Sequence, residues 1–129
     1  MAPPTIKVLS ILLLLFGLFA FFGSLFMWGE GFLFSFPEGV DYRFPVADLL
    51  VNAPASLLAG VGLWRMRRWG YAVGYFVAGF YLYASVEIFV DVIQAGPPFP
   101  VAIVVPQTLA VAVAVALVFT LKRMRDRFR

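Results

Sequence analysis

Apolar residues fall into four long blocks along this chain, roughly Thr5 to Met27, Val46 to Leu63, Trp69 to Ile93 and Val101 to Leu121, and most charges sit between or beyond them. A helix that crosses a bilayer needs about 20 mostly apolar residues, and the four blocks are expected to meet that requirement. The pattern predicts an all-α integral membrane protein. Four transmembrane helices form an up-down bundle in one domain covering residues 1–129, with spans at about 5–27, 46–63, 69–93 and 101–121. One long connection, 28–45, lies on the outer side. The first block could pass for a signal peptide, but its apolar run is too long and no small-x-small site ends it, so it is expected to be retained.

Composition agrees with the pattern. With 63% apolar residues, 13% charged residues and a mean hydropathy of +0.95, the chain lies far from a soluble domain.

Charge supplies the orientation. Basic residues favour cytoplasmic loops, most strongly in short ones. Nine of the ten Lys and Arg residues can share one side: Lys7, Arg65, Arg67, Arg68, Lys122, Arg123, Arg125, Arg127 and Arg129. Arg43 alone falls opposite, among Glu30, Glu38 and Asp41, with Asp48, Glu87 and Asp91 near the outer helix ends. Both termini are therefore expected in the cytoplasm, in a multi-pass protein of the cell membrane. In GLWRMRRWGYAVG, Trp64 and Trp69 bracket Arg65, Arg67 and Arg68 as headgroup-level anchors. The expected partner of this end is a leaflet with anionic headgroups, which attracts about 1 kcal/mol per basic residue. That accounts for the tail KRMRDRFR without nucleic acid.

The outer connection, Trp28 to Pro45, carries Phe32, Phe34, Phe36, Tyr42 and Phe44, and is expected to rest in the interface or cover the outer mouth. Pro45 suits the first turn of span two, Gly96 and Pro97 close span three, and Pro100 opens span four. Pro106 is different, because inside span four it removes a backbone hydrogen bond and crowds the Ala102 carbonyl. A kink there is expected to expose polar backbone near Gln107.

Span one has no ionisable residue beyond Lys7 and is expected to be the most lipid-facing. The other three carry polar groups towards their outer ends: Asp48 and Asn52, then Glu87, Asp91 and Gln94, then Gln107. At about 1.5 Å per residue, Asn52, Glu87 and Gln107 reach a depth of roughly 9 to 12 Å. On span two, Asp48, Asn52, Ser56, Ala59 and Leu63 form one stripe. On span three, Phe76, Phe80, Tyr83 and Ala84 share the face of Glu87 and Asp91. The opposite face, Gly70, Gly74, Ala78 and Ser85, is a small-residue series that admits another helix closely, in the same chain or a second copy.

Asp48 opens its helix, where the dipole favours an anion. Glu87 and Asp91 lie near a helix C-terminus, where it does not, and need partners, protonation or water. Arg43 is the nearest cation, so a structural network of Arg43, Asn52 and Gln107 with these acids competes with a ligand or ion site.

The chain contains no cysteine and no histidine, which excludes thiolate chemistry, imidazole bases and Glu-x-x-His di-iron sites. Asp48 and Asp91 lack the GxGD context of intramembrane aspartyl proteases, and neither a GxSxG elbow nor a Walker loop is present. No enzyme activity and no cofactor are expected.

Size and span count resemble the small multidrug transporters, which place their membrane glutamate in the first span. Span one here has no acid, so no residue carries over. The leading expectation is a non-enzymatic scaffold or accessory subunit that associates through its helices with a second copy or another membrane protein. The alternative is a transporter or binder of a cation or cationic lipophile at Glu87 and Asp91, with Phe76, Phe80 and Tyr83 as an aromatic wall.

Overall fold

The computed structural model describes residues 1–29 and 46–129, and every regular element among them is helical. The expectations placed on Glu30, Glu38, Asp41, Arg43, Pro45 and the aromatic residues of the long connection lie outside the described residues.

Helix α1 is Pro4–Gly29, α2 is Asp48–Trp64, α3 is Arg68–Ala95 and α4 is Val101–Met124, followed by a short 3-10 turn, Arg125–Arg127. Three of them, α1, α3 and α4, are long and apolar enough to cross a membrane, with mean hydropathies of 2.5, 1.7 and 2.5. Helix α2 is apolar but shorter. Its 17 residues extend about 25 Å, against a hydrocarbon core of about 30 Å, and Val46 and Ala47 continue it backwards in helical form.

The turn between α2 and α3 is tight because α2 ends in a Schellman pattern. The Arg67 N–H donates to the Gly62 carbonyl and the Met66 N–H to the Leu63 carbonyl, both at 2.9 Å. This geometry calls for a left-handed residue after the cap, usually glycine. Met66 fills the position at φ 53°, and its side chain packs against the core. Helix α3 stops at Gly96, also at positive φ. Helix α4 starts behind Pro100, whose carbonyl accepts from Ile103 and Val104 at 3.0 Å, and runs through Pro106 without interruption.

Sequential helices pack as neighbours, α1 on α2, α2 on α3 and α3 on α4, with a smaller contact between α1 and α4. The core lies near the 65–68 turn. It joins Ile6, Leu9 and Leu13 of α1, Ala59 and Leu63 of α2, Val77 and Ala78 of α3, and Val113, Ala114, Leu117 and Leu121 of α4. Glycines set the closest approaches. A Cβ on Gly70 would lie 2.5 Å from the Gly62 Cα, and one on Gly74 would lie 3.0 Å from a Leu121 methyl. The small-residue face of α3 therefore packs within this chain, where Gly70, Gly74, Ala78 and Ser85 are all buried.

Helix α1 departs from expectation. It is the most buried of the three long helices, with 33% of its apolar window enclosed against 22% for α3 and 17% for α4. The absence of charge says nothing about packing. Gly60 of α2 leaves room for Leu14, Gly17 of α1 leaves room for Leu57, and Ser10 satisfies its hydroxyl on the Ile6 carbonyl at 2.7 Å. These features let α1 and α2 interlock.

The chain returns to the same end after α4. The Arg129 N–H donates to the Met66 carbonyl and the Arg68 N–H to the Arg129 carbonyl, each at 3.0 Å. Phe128 is buried against Tyr71, with ring centroids 5.3 Å apart. Lys7 Nζ lies 5.9 Å from the Trp64 ring centroid. The basic residues of three separate segments thus gather at one end, and Asp48, Glu87 and Asp91 lie towards the other.

Candidate functional site

The site begins with a proline. Pro54 sits one residue into the α-helical part of α2, Ala53–Trp64, and can neither donate to the Leu50 carbonyl nor let it approach. The preceding turn widens in response. Asp48–Asn52 is a π turn, closed by the Ala53 N–H on the Asp48 carbonyl, and such turns recur at functional sites.

Asp48, Asn52 and Ser56, spaced by four residues, then stack into a hydrogen-bonded column. Asn52 Nδ2 donates to Asp48 Oδ1 at 2.8 Å, Ser56 Oγ donates to Asn52 Oδ1 at 2.8 Å, and Ser56 Oγ meets the Tyr81 hydroxyl at 2.7 Å. The direction of the last bond follows from the others. An ionised carboxylate only accepts, so it takes the amide NH2 of Asn52, and the Asn52 oxygen takes the single hydrogen of Ser56. Tyr81 must therefore donate to Ser56. Every donor in the column points towards Asp48. Ser56 and Tyr81 are buried, so the column is anchored in the packed half of the molecule. Phe16 braces Tyr81 edge-on, with centroids 5.7 Å apart.

Asp48, Asn52 and Tyr81 of this column line a cavity of about 780 Å³ to which all four helices contribute. Helix α1 contributes Leu15, Phe16, Phe19 and Ala20; α2 contributes Ala47, Asp48 and Asn52; α3 contributes Phe80, Tyr81, Tyr83, Ala84, Glu87 and Ile88; α4 contributes Val105, Pro106, Gln107, Leu109 and Ala110. Most of this surface is apolar. Its polar groups are two carboxylates on facing elements, two amides and the tyrosine hydroxyls. Gln107 is fixed by Ser85, whose hydroxyl donates to Oε1 at 3.1 Å. Pro106 lines the cavity beside it, and Thr108 donates to the Val104 carbonyl at 2.8 Å.

Of the residues singled out from the sequence, Asp48, Asn52, Glu87 and Gln107 line this one cavity, together with Phe80 and Tyr83. Asp91 is exposed, one turn beyond Glu87, and is not part of the lining. Phe76 and Gln94 are exposed as well, and Arg43 lies outside the described residues. Trp64 and Trp69 are about half exposed and flank the turn that carries Arg65, Arg67 and Arg68. Tyr81 and Pro54 are the two site residues that the polar pattern of the sequence does not single out. Signals for both are present in it: a tyrosine in an apolar helix needs a hydroxyl partner when buried, and a proline inside an apolar run marks a break in its backbone ladder.

No protein-family model matches the chain, and no curated protein or solved structure matches it at a significant level.

Proposed function

We propose that this is a four-span protein of the cell membrane with both termini in the cytoplasm, and that it binds a lipophilic organic cation in the cavity at the acidic ends of its helices. The observation that carries the reading is the composition of the cavity wall: Asp48 and Glu87 set among Phe16, Phe80 and Tyr83. An apolar cation gains charge neutralisation from the carboxylates and quadrupole attraction from the ring faces, and both are strengthened where water is scarce. The gathering of Lys7, the 65–68 turn and the tail at one end supports the orientation. A short α2 is accommodated by local thinning of the bilayer or by neighbouring helices.

Protons compete with such a ligand, since a protonated carboxylate no longer attracts it. Binding of tetraphenylphosphonium to the protein in lipid nanodiscs is expected to weaken as pH falls. Asp48→Asn and Glu87→Gln are each expected to weaken it roughly tenfold or more, the scale of a lost charged partner. Unchanged affinity in both variants removes the proposal.

A second reading, a scaffold that associates through its helices, draws support from α3, where Ala72, Gly79 and Val86 are exposed along one face and Gly79 has open space around it. Stable co-purification of a second copy or another membrane protein, lost in Gly79→Leu, would favour that reading.

A further inference from the structure

The end opposite the cavity holds a second hollow. It measures about 550 Å³ and lies between the 65–68 turn and the tail, with Arg65, Met66, Arg67, Asp126, Arg127 and Arg129 in its lining. We infer that it is a seat for a phosphomonoester group, a site distinct from the cavity and independent of the cation reading.

Two features argue that the hollow is built rather than incidental. The tail is held on the turn by the paired backbone hydrogen bonds of Arg129 with Met66 and Arg68, and by Phe128, which is 5% exposed. The turn places Arg65 and Arg67 on either side of Met66, a non-glycine residue in the left-handed region at φ 53°, a conformation that L side chains rarely adopt. The fold thus brings four arginines from two distant segments around one concavity, with Asp126 as the acidic side chain in its lining. An anion with several oxygens complements this arrangement. Guanidinium groups match phosphate with paired N–H donors, and a phosphomonoester carries close to two negative charges at neutral pH, whereas a phosphodiester carries one. The hollow sits beside the Trp64 and Trp69 anchors, at the level where a lipid headgroup would present such a phosphate.

A diffuse basic surface would attract any anionic leaflet, so the experiment must separate a seat from a charge count. The full chain is reconstituted in phosphatidylcholine nanodiscs containing phosphatidate or, at equal charge, phosphatidylglycerol, and bound lipid is counted by native mass spectrometry. Retention of phosphatidate over phosphatidylglycerol is expected. Arg67→Gln with Arg127→Gln should weaken that retention about tenfold more than Lys122→Gln with Arg123→Gln, which removes the same charge outside the hollow. All four side chains are exposed and the backbone bonds of the tail are untouched, so both variants are expected to fold. Displacement of phosphatidate by inorganic phosphate or glycerol 3-phosphate would assign the seat to soluble phosphomonoesters, and its absence would assign it to the lipid headgroup. Equal losses in the two double variants, or no preference between the lipids, would overturn the inference.

Discussion

The two ends of the bundle are made from similar apolar sequence and come out differently. Near the 65–68 turn the helices are in close contact: Gly62 meets Gly70, and Leu63, Leu117 and Leu121 are fully buried. Towards the other end α4 has no buried residue from Val101 to Ala112, and a large cavity separates it from α1 and α2. The difference lies in which residues interrupt the apolar pattern. Glycine and alanine at one end let backbones approach, which is what holds helices together where burial in lipid offers no gain by itself. Proline at the other end removes a ladder hydrogen bond and polar side chains there demand partners, so Ser56 meets Tyr81 between α2 and α3, and Ser85 meets Gln107 between α3 and α4, where close packing gives out.

The largest effect that would sharpen this contrast is expected at the glycine contact. Gly70→Leu places a side chain where only backbone fits and should destabilise the fold by about 3 kcal/mol or more. Gly79→Leu, on the same helix with open space around it, should stay within about 0.5 kcal/mol. Equilibrium unfolding in mixed micelles compares the two, and similar losses would mean that the glycine contact is not what closes this end.

A medium effect is expected from truncating leucines of α4 at different depths. Leu117→Ala in the packed half should cost about 2 kcal/mol, near the lower limit for soluble cores, because lipid already solvates the lost methyls and only the cavity term remains. Leu109→Ala at the cavity should cost under about 1 kcal/mol. The same unfolding assay checks it, and a larger loss at Leu109 would break the comparison.

The smallest effects concern the polar column that links the halves. Ser56→Ala leaves the buried Tyr81 hydroxyl without its acceptor and should cost about 1.5 kcal/mol, whereas Tyr81→Phe removes donor and hydroxyl together and should cost about 0.5 kcal/mol. Reversal of that order would show that the donor direction assigned to the column is wrong.

By itself the sequence marked out four apolar helical spans, because hydropathy over a 20-residue window is a local property; among the described residues three helices have the length and apolarity of spans, and α2 is shorter. It also marked Asp48, Asn52, Glu87 and Gln107, since a polar group in such a window is costly and therefore conspicuous. Helical spacing aligned Asp48, Asn52 and Ser56 on one stripe, and identified Gly70, Gly74 and Ala78 as a close-packing face. Tertiary structure alone decided which of these residues meet. Glu87 lines the cavity and Asp91, one turn further out on the same face, does not, because what a helix face meets depends on how far the neighbouring helices extend beside it and not on spacing within its own. The burial of α1 could not be read from its lack of charge, since the space for Leu14 and Leu57 comes from Gly60 and Gly17 on opposing helices. Tyr81 joined the column for the same reason: its partner Ser56 is 25 residues away, and hydrogen bonds across helices leave no period in a sequence.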